Sequence, residues 1–207
     1  RYGSDPSVTY MLTRQGRMHA EIADFPNRAF YGGRLGQAGL PHQDAALAPA
    51  DSDSIEAKVL GRRVSFVDIS EAPALDRPDK INHAEAAFIA SLAAAIYRRE
   101  PDFSPADTLG IIVPYRNQIS TIRSAMSLSG IDALESVAVD TVERFQGSQR
   151  KYIIYGFTVK RPSQLGFLTE HTFTDIDGAT IDRKLNVAMT RAREHLILAG
   201  NAALLAQ

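Results

Sequence analysis

A chain of 207 residues is long enough to bury one core and short enough to form a single domain over 1–207. Hydrophobic residues make up 44% and charged residues 23%, the balance of an ordinary globular protein, which excludes disordered, collagen-like and coiled-coil classes. The 23 basic residues against 24 acidic ones leave no net basic excess of the kind that free-standing nucleic-acid modules carry, although one basic groove can sit inside a balanced total. Cysteine is absent, so disulfides and thiolate metal sites are excluded and a reducing, cytoplasmic setting is expected. His19, His42, His83, His171 and His195 show no metal-ligand spacing, and no metal site is predicted. No apolar run approaches the ~20 residues that span a bilayer, so no membrane partner is expected. The opening Arg1-Tyr2-Gly3-Ser4-Asp5-Pro6 is neither a signal peptide nor an initiation site, and reads as a cut inside a longer protein.

The first block, to about Leu40, is polar and aromatic, with a short helix predicted over Ala20 to Phe25 and punctuation at Pro26 and Gly32-Gly33. Residues 41–63 are rich in Ala, Asp, Ser and Pro without periodicity, and read as a long mobile surface excursion. Val64 to Ile69 is β-branched and aromatic, a strand. Asn82 followed by Glu85 signals a helix start, and Ala86, Ile89, Ala93 and Ile96 or Tyr97 recur at helical spacing until Pro101. Leu109 to Val113 is wholly apolar, the mark of a strand buried on both faces. After Pro114 a helix is predicted from about Asn117 to Leu128, closed by Gly130. Further strands are predicted at Val137 to Val142, Lys151 to Val159 and His195 to Ala199. This alternation argues for an α/β fold, a mainly parallel sheet with helices on both faces. Ligands in such sheets bind at the carboxyl ends of the strands, where Pro114-Tyr115-Arg116 and Glu143 to Gly147 fall.

No glycine is followed by lysine, so there is no Walker A loop, and no nucleophile elbow or zinc motif is present. The positive signals lie in three segments. Arg183-Lys184-Leu185-Asn186-Val187-Ala188-Met189-Thr190-Arg191-Ala192-Arg193 gathers cations on a segment whose Leu185, Ala188 and Met189 fall at helical spacing. Arg191 is offset from that face, as an arginine that stabilises charge on a transferring phosphoryl group requires. Read alone, the same segment is also a solvated basic helix face. Asp140 to Gln149 is a polar turn after a buried strand. Its Thr141, Arg144 and Gln146 suit phosphate or sugar, and Gly147 lets backbone approach closely; a plain strand-to-helix connection looks similar. Tyr115 and Arg116 offer a ring and a cation near the same edge, a pairing that suits single-stranded nucleic acid.

Taken together these segments resemble superfamily 1 helicases of the 5′-to-3′ branch. Gln15-Gly16-Arg17-Met18-His19, with Phe25-Pro26 and Phe30-Tyr31-Gly32-Gly33-Arg34-Leu35, resembles their Gln-Tyr-Arg-Met-His segment. Ile111 to Gln118 is similar to their motif IV, Thr141 to Gly147 to motif V, and Leu165-Gly166-Phe167-Leu168 with Arg183 to Ala192 to the lead-in and body of motif VI. The resemblance covers nearly the whole chain and implies a RecA-like, P-loop-NTPase-type three-layer sandwich, the second motor domain. The first RecA-like domain, with Walker A and B, would lie upstream. It implies ATP with Mg²⁺ bound only together with that first domain, Arg191 as arginine finger and Arg17 on the same γ-phosphate. Gln15, Gly147 and Gln149 would line the nucleotide site. Pro114, Tyr115, Arg116, Gln118, Thr141, Arg144 and Gln146 would face single-stranded DNA or RNA. Two positions depart from the pattern: Gly16 replaces a base-stacking tyrosine, and Gln149 stands where a glutamate is usual, so it brings no negative charge.

The reading implied is an ATP-dependent helicase or translocase whose isolated second domain is inactive. Two rivals stand beside it. A metal-dependent nuclease would need clustered carboxylates, for which Asp175, Asp177 and Asp182 are the candidates. A non-catalytic module would bind a strand or a protein partner without any role for Arg191.

Overall fold

A computed structural model describes residues 13–50, 52–70, 80–145, 148–169, 172–174 and 180–207. The described residues begin with β1 (Arg14–Gln15) and α1 (Ala20–Phe30), followed by β2 (Gly36–Gln37), which pairs in parallel with β1. His19 caps α1, its Nδ1 accepting the Glu21 N–H at 3.2 Å. The helix predicted to end near Phe25 runs on through Pro26. That proline removes one backbone donor but is buried on the inner face with Ile22 and Ala23, and the packing holds the helix together. Gly32 and Gly33, at φ of 58° and 74°, then reverse the chain.

Residues 41–63, expected to be irregular, contain a 3₁₀ turn at Pro41–Gln43 and α2 (Ile55–Leu60). Ser54 caps α2 through the Ala57 N–H at 3.1 Å, and Ala57, Val59 and Leu60 are buried. Six residues are too few to display a helical period, which is why the sequence hid this helix. Next come β3 (Val64–Asp68), α3 (His83–Arg99), β4 (Leu109–Ile112), α4 (Arg116–Ser127), α5 (Asp132–Glu135) and β5 (Ala138–Asp140). Asn82 caps α3 as predicted, accepting the Glu85 N–H at 2.9 Å. A 3₁₀ turn at Val142–Phe145 leads to β6 (Arg150–Gly156). The chain closes with α6 (Leu165–Thr169), the antiparallel pair β7 (Thr172–Thr174) and β8 (Thr180–Asp182), α7 (Arg183–Met189), β9 (Ala192–Gly200) and α8 (Ala202–Leu205). Among the described residues no helix is long and apolar enough to cross a membrane.

Five strands form one parallel sheet in the order β3-β9-β6-β4-β5. Side chains alternate across it. Ile111, Ile154 and Ile197 meet Ile89, Ile96 and Ile122 of α3 and α4 on one face. Ile112, Ile153 and Leu196 meet Ile22, Ala188 and Met189 of α1 and α7 on the other. The predicted three-layer RecA-like sandwich is therefore present, with the central strands β9, β6 and β4 largely buried on both faces and the edge strand β3 on one. From β4 the chain steps outward to β5, then returns across it to β6 and β9. The crevice of such a sheet opens where these directions diverge, at the carboxyl ends of β4 and β6.

A buried carboxylate anchors that edge. Glu85 is fully buried; its Oε2 accepts the Thr158 N–H and its Oε1 the Thr158 hydroxyl, both at 2.9 Å. These bonds hold Thr158 at φ 57°, a left-handed conformation that costs a β-branched residue about 1–3 kcal/mol. Gly156 is required beside it, because a Cβ there would lie 2.6 Å from the Glu85 Oε1.

His195 lies inside the sheet, stacked on Tyr152 with ring centroids 4.4 Å apart, its Nδ1–H donating to the Arg62 carbonyl at 3.0 Å. Burial pushes its imidazole down to about 4, outweighing the Arg62 hydrogen bond, with Arg63, Arg99 and Lys151 adding repulsion. Below the ordinary value of 6.5 the unfolded chain takes up a proton that the folded one refuses, so stability falls as pH drops from 6.5 towards 4. The contribution is about 1.4 kcal/mol per pH unit. We expect His195→Phe to show a stability-versus-pH slope shallower by that amount over this window in denaturant titrations. Identical slopes for the two proteins would contradict it.

Candidate functional site

The first cation of the site is presented by a turn held together by amides. Gln15 Oε1 accepts the Arg17 N–H at 2.8 Å and the Met18 N–H at 2.7 Å, and its Nε2 donates to the Met18 carbonyl at 2.9 Å and to Gln37. Gln43, fully buried, donates to the Gln15 and Met18 carbonyls at 3.0 and 3.2 Å. His42 Nε2–H donates to the Arg17 carbonyl at 2.9 Å. With Met18 packed into the core, Arg17 is left pointing outward. The turn is fastened to the start of β9 by the His19 N–H, which donates to the Arg193 carbonyl at 2.7 Å.

The second cation arrives from the far end of the sequence. Asp182 caps α7, accepting the Leu185 N–H at 2.9 Å, while Ala188 and Met189 are buried beneath it. The helix stops at Met189, so Arg191 stands in the turn before β9 rather than on the helix as the spacing predicted. It is held all the same: its Nε donates to the Val187 carbonyl at 3.2 Å and its Nη1 to the Ser148 carbonyl at 3.4 Å. Arg17 reaches the same place, its Nη1 donating to the Thr190 carbonyl at 3.1 Å and its Nε to Gln149 Oε1 at 3.2 Å. Burial, and then the neighbouring Arg17 charge, pull the Arg191 guanidinium below its ordinary value. Among the described residues no carboxylate forms an ion pair with either arginine. Two half-buried guanidinium groups thus share one rim, oriented only by neutral oxygens.

Beyond the 3₁₀ turn 142–145 a groove of about 500 Å³ opens at the carboxyl ends of β4 and β5. Pro114, Tyr115, Arg116, Thr141 and Arg144, all predicted, line it. So do Lys80, Phe167 and Lys184, which the sequence reading did not single out as site residues. Tyr115 is nearly closed over, and its ring stacks on Phe167. Gln118 is not brought to this surface, and its expected contact with a strand is corrected. It is fully buried, its Oε1 accepting the Asn82 N–H at 2.9 Å and its Nε2 donating to the Asn82 carbonyl at 2.8 Å. It is a strut joining the starts of α3 and α4 under the groove. Gln15 likewise supports Arg17 with its amide already engaged. Gln146 and Gly147 lie outside the described residues, as do Asp175 and Asp177, while Asp182 is accounted for as the cap of α7.

Gln43→Leu removes the donor that the Gln15 and Met18 carbonyls share, each keeping one other partner, and leaves the Leu40 N–H without the Gln43 Oε1 that accepts it at 3.0 Å. It is expected to destabilise the protein by about 1–3 kcal/mol, read as a lower denaturant midpoint. An unchanged midpoint would mean that the Arg17 turn is held by other contacts.

Residues 2–203 match the family model described as an AAA domain. Three relatives are similar over nearly the whole chain. Helicase sen1 of Schizosaccharomyces pombe is 29% identical over 92% of this chain and 10% of its own length. Regulator of nonsense transcripts 1 of Dictyostelium discoideum is 32% identical over 95% and 14%. The DNA replication ATP-dependent helicase/nuclease DNA2 of Xenopus tropicalis is 29% identical over 97% and 20%. The chain therefore spans between a tenth and a fifth of the length of these relatives. The matched family, the parallel sheet flanked by helices and the order of the segments agree: the chain belongs to the AAA-domain family, as a C-terminal RecA-like domain of the superfamily 1 helicase kind.

Proposed function

We propose that this chain is the second motor domain of an ATP-dependent nucleic-acid helicase or translocase, completing a nucleotide site with a first RecA-like domain of the same polypeptide. The observation that carries this reading is the meeting of Arg17 and Arg191. Two cations held side by side by carbonyls and one amide oxygen repel each other until an anion comes between them, and a terminal phosphate has the charge and the several acceptor oxygens to do so. Bound in the interdomain cleft, ATP with Mg²⁺ supplies the phosphoanhydride whose cleavage drives the motor. Arg17 and Arg191 bind and orient the γ-phosphate and draw the two domains together. Once that phosphate leaves, their mutual repulsion favours reopening. Gln149 positions Arg17 without neutralising it.

The groove is the proposed strand surface. Arg116 and Arg144 offer phosphate contacts, Thr141 a hydroxyl, and the Pro114–Tyr115 edge an apolar wall; single-stranded DNA and RNA both present these partners. Two segments run from groove to rim. The stretch 141–149 carries Thr141 and Arg144 at one end, with the Ser148 carbonyl and Gln149 at the other; α7 carries Lys184 at its start and leads into Arg191. Opening and closing of the cleft is thereby coupled to the hold on the strand. Lacking a phosphate-binding loop, the domain is inactive alone.

In the full-length protein Arg191→Ala is expected to lower strand-stimulated ATP turnover on the order of 10³-fold, measured as phosphate release with saturating nucleic acid. Turnover near that of the unaltered protein would reject the arginine-finger role.

A further inference from the structure

The segment leading into α7 adds a ring to the groove. Phe167, on α6, stacks on Tyr115 with centroids 5.0 Å apart and planes 23° apart. Tyr115 is 6% exposed and Phe167 39%, so Phe167 is the member of the stack that solvent reaches. The Lys184 ammonium lies over it, 5.2 Å from the ring centroid, and 3.2 Å from Glu143 Oε1. Burial pushes the Glu143 carboxyl up, but its own backbone N–H, the Thr141 hydroxyl and Lys184 together hold it below the usual carboxylate range. Glu143 is therefore charged and grips Lys184. Lys80, Arg116, Arg144 and Lys184 also line the groove, against Glu143 as the one lining carboxylate among the described residues. An outer ring face with cations around it matches a polymer that alternates flat bases with phosphates.

We propose that Phe167 is the base-stacking surface of this groove and that Lys184 is its phosphate-binding cation, parked on Glu143 until a strand arrives. The inference rests on the strand-groove reading above. A base laid on Phe167 adds a third layer to the Tyr115–Phe167 stack and displaces the ammonium from over the ring. Stacking of this kind is indifferent to base identity. The adjacent phosphate then takes Lys184 in place of the Glu143 carboxylate. Lys184 is in the first turn of α7, so this exchange takes place on the element that leads to Arg191.

The test is binding by the full-length protein, followed by fluorescence anisotropy, of strands of about 15 nucleotides: oligouridine, oligothymidine and an abasic deoxyribose-phosphate strand. Phe167→Ala and Phe167→Leu are both expected to weaken whichever base-bearing strand the unaltered protein prefers by about ten-fold and to leave the abasic strand unaffected. The leucine variant keeps the apolar volume, so a loss shared by both variants comes from the ring. Lys184→Met is expected to weaken base-bearing and abasic strands alike and to lower the salt slope by about 0.7. Unaltered binding of the base-bearing strand by Phe167→Leu, or equal losses on the abasic strand, overturns the role of Phe167. If Arg116→Ala and Arg144→Ala weaken binding in that case, the groove stands and only the platform falls. If they too bind normally, the strand-groove reading fails with it.

Discussion

Two like charges placed side by side in a folded protein require restraint, and the kind of restraint decides what the site can do. Carboxylates would neutralise Arg17 and Arg191 and leave nothing for a ligand. Here the restraint comes from the Val187, Thr190 and Ser148 carbonyls and the Gln149 amide oxygen. These fix direction while preserving charge. The carbonyls of Val187 and Thr190 belong to the carboxyl-terminal end of α7, where backbone dipoles favour cations. Burial sharpens the effect, since partial removal from water makes each guanidinium a stronger partner for an anion.

The rest of the fold can be understood as the scaffold for that juxtaposition. Arg17 lies 173 residues before Thr190, which it contacts, so no local structure brings them together. The bond from the His19 N–H to the Arg193 carbonyl, and the packing of Met18 and Ile22 against the layer that contains Ala188 and Met189, do so. On the opposite face, α3 and α4 support the other edge of the site. Gln118 ties the starts of both helices together through Asn82, and Glu85 ties them to Thr158 beyond the carboxyl end of β6, at the cost of a strained Thr158.

Much of this was legible in the sequence, and the exceptions have physical reasons. The apolar run at Leu109 to Val113 reads as a buried strand because a parallel sheet covered on both faces demands it. Asn82 and Glu85 announced α3 because an orphaned helix N–H needs that acceptor. Arg17 and Arg191 were recognisable by their neighbours, yet nothing local predicted that they would meet. Gln118 misled because a polar residue after a strand end is ordinarily exposed; its burial depends on Asn82, a contact 36 residues away. Phe167 and Lys184 were read only as parts of a motif, since one ring and one lysine are unremarkable until the fold brings them together with Tyr115 and Glu143. Pro26 marks the opposite limit, a helix breaker overridden by burial on the α1 inner face.

The central claim is that Arg17 and Arg191 act on one anion as a unit. A double-mutant cycle on ATP turnover in the full-length protein measures this directly, with Arg17→Ala and Arg191→Ala made singly and together. A shared γ-phosphate predicts strong non-additivity: the double variant loses little more than the more damaging single one. Losses that multiply independently, or an Arg17→Ala protein with unaltered turnover, would contradict it.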